Sequence, residues 1–189
     1  MSILAKLERV IYTGIFIDLV NMLKYFISPH SDDIIFATYT ILREKPIVIT
    51  VTHSTLQGDN GFERVLEDYK ASKILDVPIM FLGIDEDELT DLILYDKLYK
   101  LKTDDIVYIP EYQENGNPQH NLVNRVAKNI FPNIREYKTY SGLEDRTTGA
   151  EIIPTEEELE LKKKAMECYR TQIENPMTAH YFNSNKEYA

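Results

Sequence analysis

The sequence predicts an α/β fold in which helices cover both faces of a mostly parallel β-sheet. Short apolar runs alternate about five times along the chain with longer segments of helical periodicity. This alternation is typical of βαβ units, whose crossover helices bring successive strands into the sheet in the same direction. Residues 47–52 support the same fold, because they are apolar or β-branched without polar alternation, as in strands covered on both faces.

The first predicted elements follow an ambiguous segment. Residues 1–23 are largely apolar, fit either a helix or a strand, and are expected to pack as an added N-terminal element. Residues 24–28 form an aromatic and aliphatic run that predicts a strand, and the helical pattern of 34–42 follows at once. Pro46 precedes the strand at 47–52, and apolar residues at helical spacing predict a helix over 62–75.

The later elements repeat the alternation. Strands are predicted at 79–82, 106–109 and 135–140, and helices at 87–101, 120–130 and 156–173. Thr155 and Glu158 form a capping-box pattern at the start of the last helix. The sequence shows no repeats and no interdomain linker, and its 189 residues are 43% hydrophobic, which is enough for a substantial core. One domain spanning 1–189 is therefore expected.

The composition narrows the possible partners and compartments. A net charge of −10 gives a surface that repels phosphate backbones, so nucleic acid is not an expected partner. Cys168 is the only cysteine, which excludes an internal disulfide and a thiolate metal site. No apolar run reaches the roughly 18 residues that a membrane span needs, and a cytoplasmic protein is expected. The absence of a Gly-rich phosphate loop argues against a nucleotide-dependent enzyme.

The segment after the first predicted strand carries the most informative side chains, His30, Asp32 and Asp33. Open α/β sheets place their ligand sites at the carboxyl ends of the strands. His30 and Asp33 are three residues apart and can bind one metal ion, while Asp32 can exchange protons with a water at that ion. A simpler interpretation stays open at this point, because Ser31, Asp32 and Asp33 could only cap the following helix.

A second histidine follows the fourth predicted strand. The loop 110–120 ends at His120, which opens the next helix and is expected at the same edge of the sheet as His30. Two histidines and a carboxylate leave open positions for water and substrate, as a hydrolytic zinc ion requires. His53 follows the second strand and is expected at this edge too, where it either contacts a substrate or is held by the backbone.

Five short motifs connect these residues with a known family. His30-Ser31-Asp32-Asp33 is similar to a His-Pro-Asp-Asp-Glu signature, and Asn117-Pro118-Gln119-His120 to a His-x-Asp-His element. The other three motifs are Arg64-x-x-Glu67-x-x-x-Ala71, Leu82-Gly83-Ile84-Asp85 and the segment 169–172. Their order and spacing over about residues 24–175 resemble the PIG-L/LmbE-like zinc-dependent N-deacetylases. Each motif is weak alone, and the five in order make the resemblance specific.

The resemblance implies a Rossmann-like three-layer fold and a role for each matching residue. His30, Asp33 and His120 would bind one zinc ion, and Asp32 would be the general base. Asn117 stands where the family has a catalytic histidine. Residues Arg64 and Asp85 would contact the sugar part of the substrate, and His53 is a further candidate for that contact. The implied reaction removes acetyl from an N-acetylamino sugar, such as an N-acetylglucosamine conjugate, in a protein of undetermined oligomeric state.

Four positions depart from the family pattern. Ser31, Ile34, Asn117 and Gln119 replace Pro, Glu, His and Asp. An Asn amide donates a hydrogen bond but cannot carry a proton, and losing a carboxylate near the ligands can change their orientation. Two other functions therefore stay open. One is a carbohydrate-binding relative with altered or no activity, and the other is a phosphoacceptor signalling domain that binds magnesium through paired acids and Asp85.

Overall fold

The computed structural model of the chain describes residues 22–53, 61–139, 150–174 and 186–188. Most of the expected N-terminal element at 1–23 lies outside these residues, as does the end of the strand predicted at 135–140. Within the described residues, five strands form one sheet in which every neighbouring pair is parallel. The predicted α/β fold with a parallel sheet is therefore confirmed.

The strands are ordered β3-β2-β1-β4-β5 across the sheet. Their bounds are β1 Lys24–Ser28, β2 Ile47–His53, β3 Ile79–Asp85, β4 Ile106–Pro110 and β5 Ile134–Tyr137. The chain first builds outward from β1 through β2 to β3, and then returns to the other side of β1 with β4. The strand order thus reverses between β1 and β4, and open α/β sheets bind their ligands in the crevice that such a reversal leaves.

Helices flank the sheet on both faces. They are α1 Asp33–Phe36, α2 Thr38–Glu44, α3 Gly61–Leu75, α4 Asp91–Tyr99, α5 Pro118–Lys128, α6 Glu156–Met166 and α7 Arg170–Ile173. One apolar core joins α1, α2, α3 and α6 to strand residues such as Phe26 and Val48. The other core joins α4 and α5 to Ile27 and Val107. Adjacent strand residues enter opposite cores, which makes a three-layer architecture.

Two predicted helices are each divided into two. The segment predicted at 34–42 breaks at Ala37, whose backbone leaves the helical region between α1 and α2. Thr38 Oγ1 donates to the carbonyl oxygens of Ile34 and Ile35 at this break. The segment predicted at 156–173 is interrupted before α7 by Tyr169, which is fully buried and hydrogen-bonded beneath the loop after β1. Tertiary contacts outweigh helical periodicity at both places.

Strand β3 is three residues longer than predicted, because it passes through an irregularity at Gly83. The β2–β3 register shifts between Thr50 and Thr52, so that one extra residue of β3 is accommodated. Gly83 has a φ of 67°, a conformation that glycine adopts without strain and that is typical of a bulge. Pairing resumes beyond the bulge and brings Asp85 opposite His53.

No helix in the described parts of the chain is both long and apolar enough to cross a bilayer.

Candidate metal centre

The structure brings His30, Asp33 and His120 together at the strand-order reversal. His30 lies in the loop after β1, Asp33 begins α1, and His120 lies in the first turn of α5 after β4. Their ligand atoms all lie within 4.8 Å of one another. His120 Nε2 is 3.1 Å from His30 Nδ1 and 3.2 Å from Asp33 Oδ1, and His30 Nδ1 is 3.5 Å from Asp33 Oδ2. Three residues predicted from two separate motifs therefore form one cluster.

The spacing of this cluster fits a tetrahedral zinc ion. With zinc about 2.0–2.2 Å from each nitrogen or oxygen, tetrahedral ligand atoms lie about 3.4 Å from one another. The distances of His120 Nε2 from His30 Nδ1 and from Asp33 Oδ1, 3.1 and 3.2 Å, lie close to that value, and the 3.5 Å distance of His30 Nδ1 is to the other Asp33 oxygen, Oδ2. Asp33 is fully buried, and its Oδ1 accepts no hydrogen bond from the described residues although His120 Nε2 lies beside it. A buried carboxylate oxygen without a donor is costly unless a cation is bound there.

The outer nitrogen of each imidazole has an oxygen partner. His30 Nε2 contacts Oε1 of Gln119, and His120 Nδ1 lies 3.1 Å from Oγ1 of Thr139. When these outer nitrogens carry the protons, both inner nitrogens present lone pairs towards Asp33. Metal-binding histidines commonly have this arrangement, in which an oxygen fixes the orientation and tautomer of the ring.

The buried negative charges of Asp32 and Asp33 favour a positive charge in the cluster. Burial lowers the pKa of His30, but hydrogen bonding to Asp33 and the charges of Asp33 and Asp32 raise it to about 9. Burial likewise raises the pKa of Asp33, but the neighbouring imidazoles of His120 and His30 hold it well below its usual range. The carboxylate therefore stays ionised among the imidazoles, as a metal ligand must.

Asp32 occupies the N-cap position of α1, but its side chain makes no capping hydrogen bond. Its Oδ1 instead lies 3.5 Å from a terminal guanidinium nitrogen of Arg64, and Arg64 Nε donates to Ser31 Oγ at 3.1 Å. Both Asp32 and Arg64 are more than nine-tenths buried. The simpler interpretation, in which these acids only cap a helix, does not describe what Asp32 contacts.

Asn117 and Gln119 fix the start of α5. Asn117 is the N-cap residue, and its Oδ1 accepts hydrogen bonds from the backbone N–H groups of Gln119 and His120. This contact holds the turn that carries His120. The catalytic role assigned to Asn117 stays a prediction, and any contact of its side chain with a substrate has to come from its amide nitrogen.

His53 and Asp85, two predicted substrate contacts, pair with each other at the ends of β2 and β3. His53 Nε2 lies 2.9 Å from Asp85 Oδ1, and both side chains are about one-third exposed. They lie at the same edge of the sheet as His30, which follows β1, and on the side of β1 away from β4. Their donor and acceptor groups therefore line the same edge as the metal cluster.

Several polar residues that support the site were given no role from the sequence. Thr139 supports His120, and no pattern marks it. Tyr169 stands where the resemblance places a histidine, and its hydroxyl lies 2.8 Å from Ser31 O and 2.7 Å from Asp68 Oδ1. Asp68 also accepts a hydrogen bond from Thr50 Oγ1 at 2.6 Å. An acid on the buried face of the 62–75 pattern was the available signal for Asp68.

Comparison with known proteins finds likeness at the level of structure alone. No family model matches the chain, and no curated protein matches it by sequence. A deacetylase of teicoplanin biosynthesis, solved as a triple mutant, is 17% identical with a TM-score of 0.61, covering 84% of this chain and 87% of that one. The zinc-inhibited form of a teicoplanin deacetylase is 16% identical with a TM-score of 0.55, covering 79% and 84%.

A structure of a different activity belongs to the same set. The 4-carboxy-2-hydroxymuconate hydratase of Pseudomonas putida is 14% identical with a TM-score of 0.58, covering 85% of this chain and 83% of that one. At these identities the comparisons show the fold, which is that of the deacetylases to which the sequence motifs pointed. A shared fold does not select between hydrolysis and hydration.

Proposed function

We propose that this chain is a zinc-dependent N-deacetylase of the PIG-L/LmbE-like type, acting on an N-acetylamino sugar or a conjugate of one. The observation that carries the proposal is the cluster of His30, Asp33 and His120. Two imidazoles and one ionised carboxylate, with ligand atoms within 4.8 Å of one another, would leave open positions for water and substrate on a bound zinc ion. Zinc bound there would supply a Lewis acid that polarises the amide carbonyl and makes a water more acidic at neutral pH.

The remaining steps belong to the protein's own side chains. Asp32 lies between the candidate ligands His30 and Asp33 in the sequence. It accepts the proton of the attacking water and then returns it to the departing amine. Arg64 holds the Asp32 carboxylate from within the fold, because its guanidinium contacts both Ser31 and Asp32. This contact keeps the carboxylate from turning away between the two proton transfers.

The substrate-binding part of the proposal rests on the remaining residues at this edge. His53 and Asp85 offer a donor and an acceptor at the rim, suited to sugar hydroxyl groups. The amide nitrogen of Asn117 can donate to the developing oxyanion. Two of the structural neighbours are deacetylases named for teicoplanin, which supports a small acetylated conjugate as the substrate class.

The replacements at Asn117 and Gln119 favour one alternative, a carbohydrate-binding relative with altered or no deacetylase activity. Its metal site would be the same, but no acetyl group would be released. The phosphoacceptor function is less well supported, because magnesium prefers oxygen ligands and here two imidazole nitrogens face Asp33.

Metal analysis and a deacetylation assay on the same samples test the proposal. Protein purified without chelator should contain zinc near one equivalent per chain. His120→Ala should lose most of that zinc, because it removes one of three protein ligands. His53→Ala is the matched histidine control, and it should keep its zinc because His53 pairs with Asp85.

The activity arm uses chitobiose-like and glycolipid-like N-acetylated substrates, with release of acetate as the readout. Acetate release that requires zinc supports the deacetylase. Stoichiometric zinc with no acetate from either class of substrate supports the non-catalytic alternative. Full zinc content in His120→Ala would remove His120 from the ligand set.

A further inference from the structure

The Gln119 side chain contacts both the candidate metal ligand His30 and the turn that follows β3. Its Oε1 contacts His30 Nε2, and its Nε2 lies 3.5 Å from the backbone oxygen of Glu86. Gln119 precedes the ligand His120 in the first turn of α5, so one short segment provides a candidate ligand and a partner for another.

The orientation of the Gln119 amide follows from its two neighbours. The Glu86 carbonyl can only accept a hydrogen bond, so the side of the amide that faces it has to be the NH2 group. A flipped amide would place two oxygens opposite each other and direct its NH2 group at His30. The oxygen of Gln119 therefore faces His30 Nε2.

This orientation determines where the His30 proton lies. An amide oxygen can only accept, so His30 Nε2 has to be the donor and carries the ring proton. The neutral ring then holds its lone pair on Nδ1. That atom lies 3.1 Å from His120 Nε2 and 3.5 Å from Asp33 Oδ2, inside the cluster.

We propose that Gln119 is a positioning residue that fixes His30 in the Nε2–H tautomer, making Nδ1 the metal-binding atom. The proposal rests on the proposed function, since it assigns a role towards the same zinc site. Gln119 stands at a position where the sequence pattern calls for a carboxylate. A neutral amide accepts the Nε2–H hydrogen bond without adding negative charge, so it orients the ring while lending less electron density to the metal than a carboxylate would.

Zinc affinity, measured by competition with a chromophoric chelator at fixed pH, tests the proposal without any assay of activity. Gln119→Met has nearly the same length and shape but cannot accept a hydrogen bond, and it should weaken zinc binding by roughly 10–100-fold. Gln119→Glu keeps an oxygen acceptor for His30 Nε2–H but loses the NH2 group that faces the Glu86 carbonyl, and it should bind zinc more tightly than Gln119→Met. Gln113→Met, in the loop that precedes α5, is the matched control and should leave the zinc affinity unchanged.

The tautomer of His30 can also be observed directly in the wild type, which keeps the proposal testable if the Gln119 variants perturb the start of α5. In the zinc-loaded wild type, the imidazole ¹⁵N spectrum of His30 should show a protonated Nε2 and a zinc-bound Nδ1. Zinc binding through Nε2 would overturn the proposal, as would wild-type affinity in Gln119→Met or equal losses in the Met and Glu variants. A wild-type protein that binds no zinc would instead overturn the proposed function.

Discussion

At the scale of single residues, the contacts of Asp32 distinguish a role as general base from a role as helix cap. It is adjacent to the candidate ligand Asp33, makes no helix-capping bond, and lies against Arg64. Asp32→Asn is nearly isosteric and should keep both the fold and most of the zinc. The amide cannot accept a proton from water, so kcat should fall by roughly 10²–10⁴-fold. Wild-type kcat in zinc-loaded Asp32→Asn protein would show that another group is the base.

Arg64 has a role in the structure that its sequence position did not indicate. The family resemblance implies that Arg64 contacts the sugar part of the substrate, which stays a prediction. In the structure its guanidinium contacts Ser31 Oγ and Asp32 Oδ1. Arg64→Ala should leave zinc content unchanged, raise KM severalfold and also lower kcat, because the Asp32 carboxylate loses its support. Ser31→Ala is the comparison variant, since it removes the Nε partner and leaves the guanidinium beside Asp32. A fall in melting temperature alone, with normal kinetics, would make Arg64 purely structural.

Asp68, which is not among the candidate metal ligands, gives the protein a pH-dependent stability. Burial raises its pKa, and despite hydrogen bonds with Thr50 and Tyr169 the charges of Asp32 and Asp33 help to bring it to about 8. The ordinary pKa is 3.8, so between these values the folded state holds a proton that the unfolded state has lost. The free energy of unfolding therefore decreases with rising pH in this window, by at most about 1.4 kcal/mol per pH unit.

Asp68→Asn should flatten this dependence. The Tyr169 hydroxyl has one hydrogen, which the Ser31 carbonyl accepts, so the protonated Asp68 donates to the Tyr169 oxygen and accepts from Thr50. The Asn amide offers an NH2 group to Tyr169 and an oxygen to Thr50 at every pH, so it mimics the protonated acid.

Urea unfolding from pH 5 to pH 9 should show a smaller slope than in the wild type, and higher relative stability above pH 8. Asp96→Asn, at an exposed ion pair with Lys100, is the control. Equal slopes for wild type and Asp68→Asn would show that Asp68 is ionised in the folded state.

At the scale of elements, sequence patterns located most strands and helix starts better than the helix interruptions, although the helix predicted at 87–101 spans only Asp91–Tyr99. The apolar runs placed β1, β2 and β4 to within a residue, because strands buried on both faces carry a continuous signal. Thr155 and Glu158 form the predicted capping box. The breaks at Ala37 and Tyr169 were not predictable, because Thr38 and Tyr169 act there through hydrogen bonds that helical periodicity does not encode.

The candidate site shows the same division. Its potential ligands could be predicted, since each follows a strand and carries a distinctive side chain. The supporting contacts of Thr139 and Gln119 could not, because they depend on the path of backbone segments that meet only in the folded sheet. Asp85 was predicted to contact the substrate, which stays a prediction, and the bulge at Gly83 explains how β3 aligns Asp85 with His53.

The first turn of α5 allows the two roles of Asn117 to be separated. Asn117→Ser keeps an N-cap oxygen for the backbone N–H groups of Gln119 and His120, but removes the amide nitrogen. It should retain stability and zinc, and lose kcat if the amide stabilises the oxyanion. Asn117→Ala removes the cap as well and should cost about 1 kcal/mol in chemical unfolding. Normal turnover in Asn117→Ser would limit Asn117 to helix capping.

At the scale of the whole molecule, the candidate ligands come from the two sides of the strand-order reversal. A metal that binds only the folded arrangement should stabilise it by mass action, by about 2.7 kcal/mol when its free concentration is 100 times its Kd. The melting temperature of the wild type should therefore rise with zinc and fall with chelator. His120→Ala should lose this response. An equal zinc-induced shift in that variant would place the stabilising metal elsewhere in the protein.

His30 and His120 are 90 residues apart in the chain, yet their inner nitrogens nearly touch. A single ion held by both would act as a removable cross-link, closing a long loop much as a disulfide does in an oxidising compartment. With one cysteine, the chain cannot form such a covalent bond within itself. The supply of zinc would thus govern two properties at once, the turnover of substrate and the lifetime of the folded protein against proteolysis.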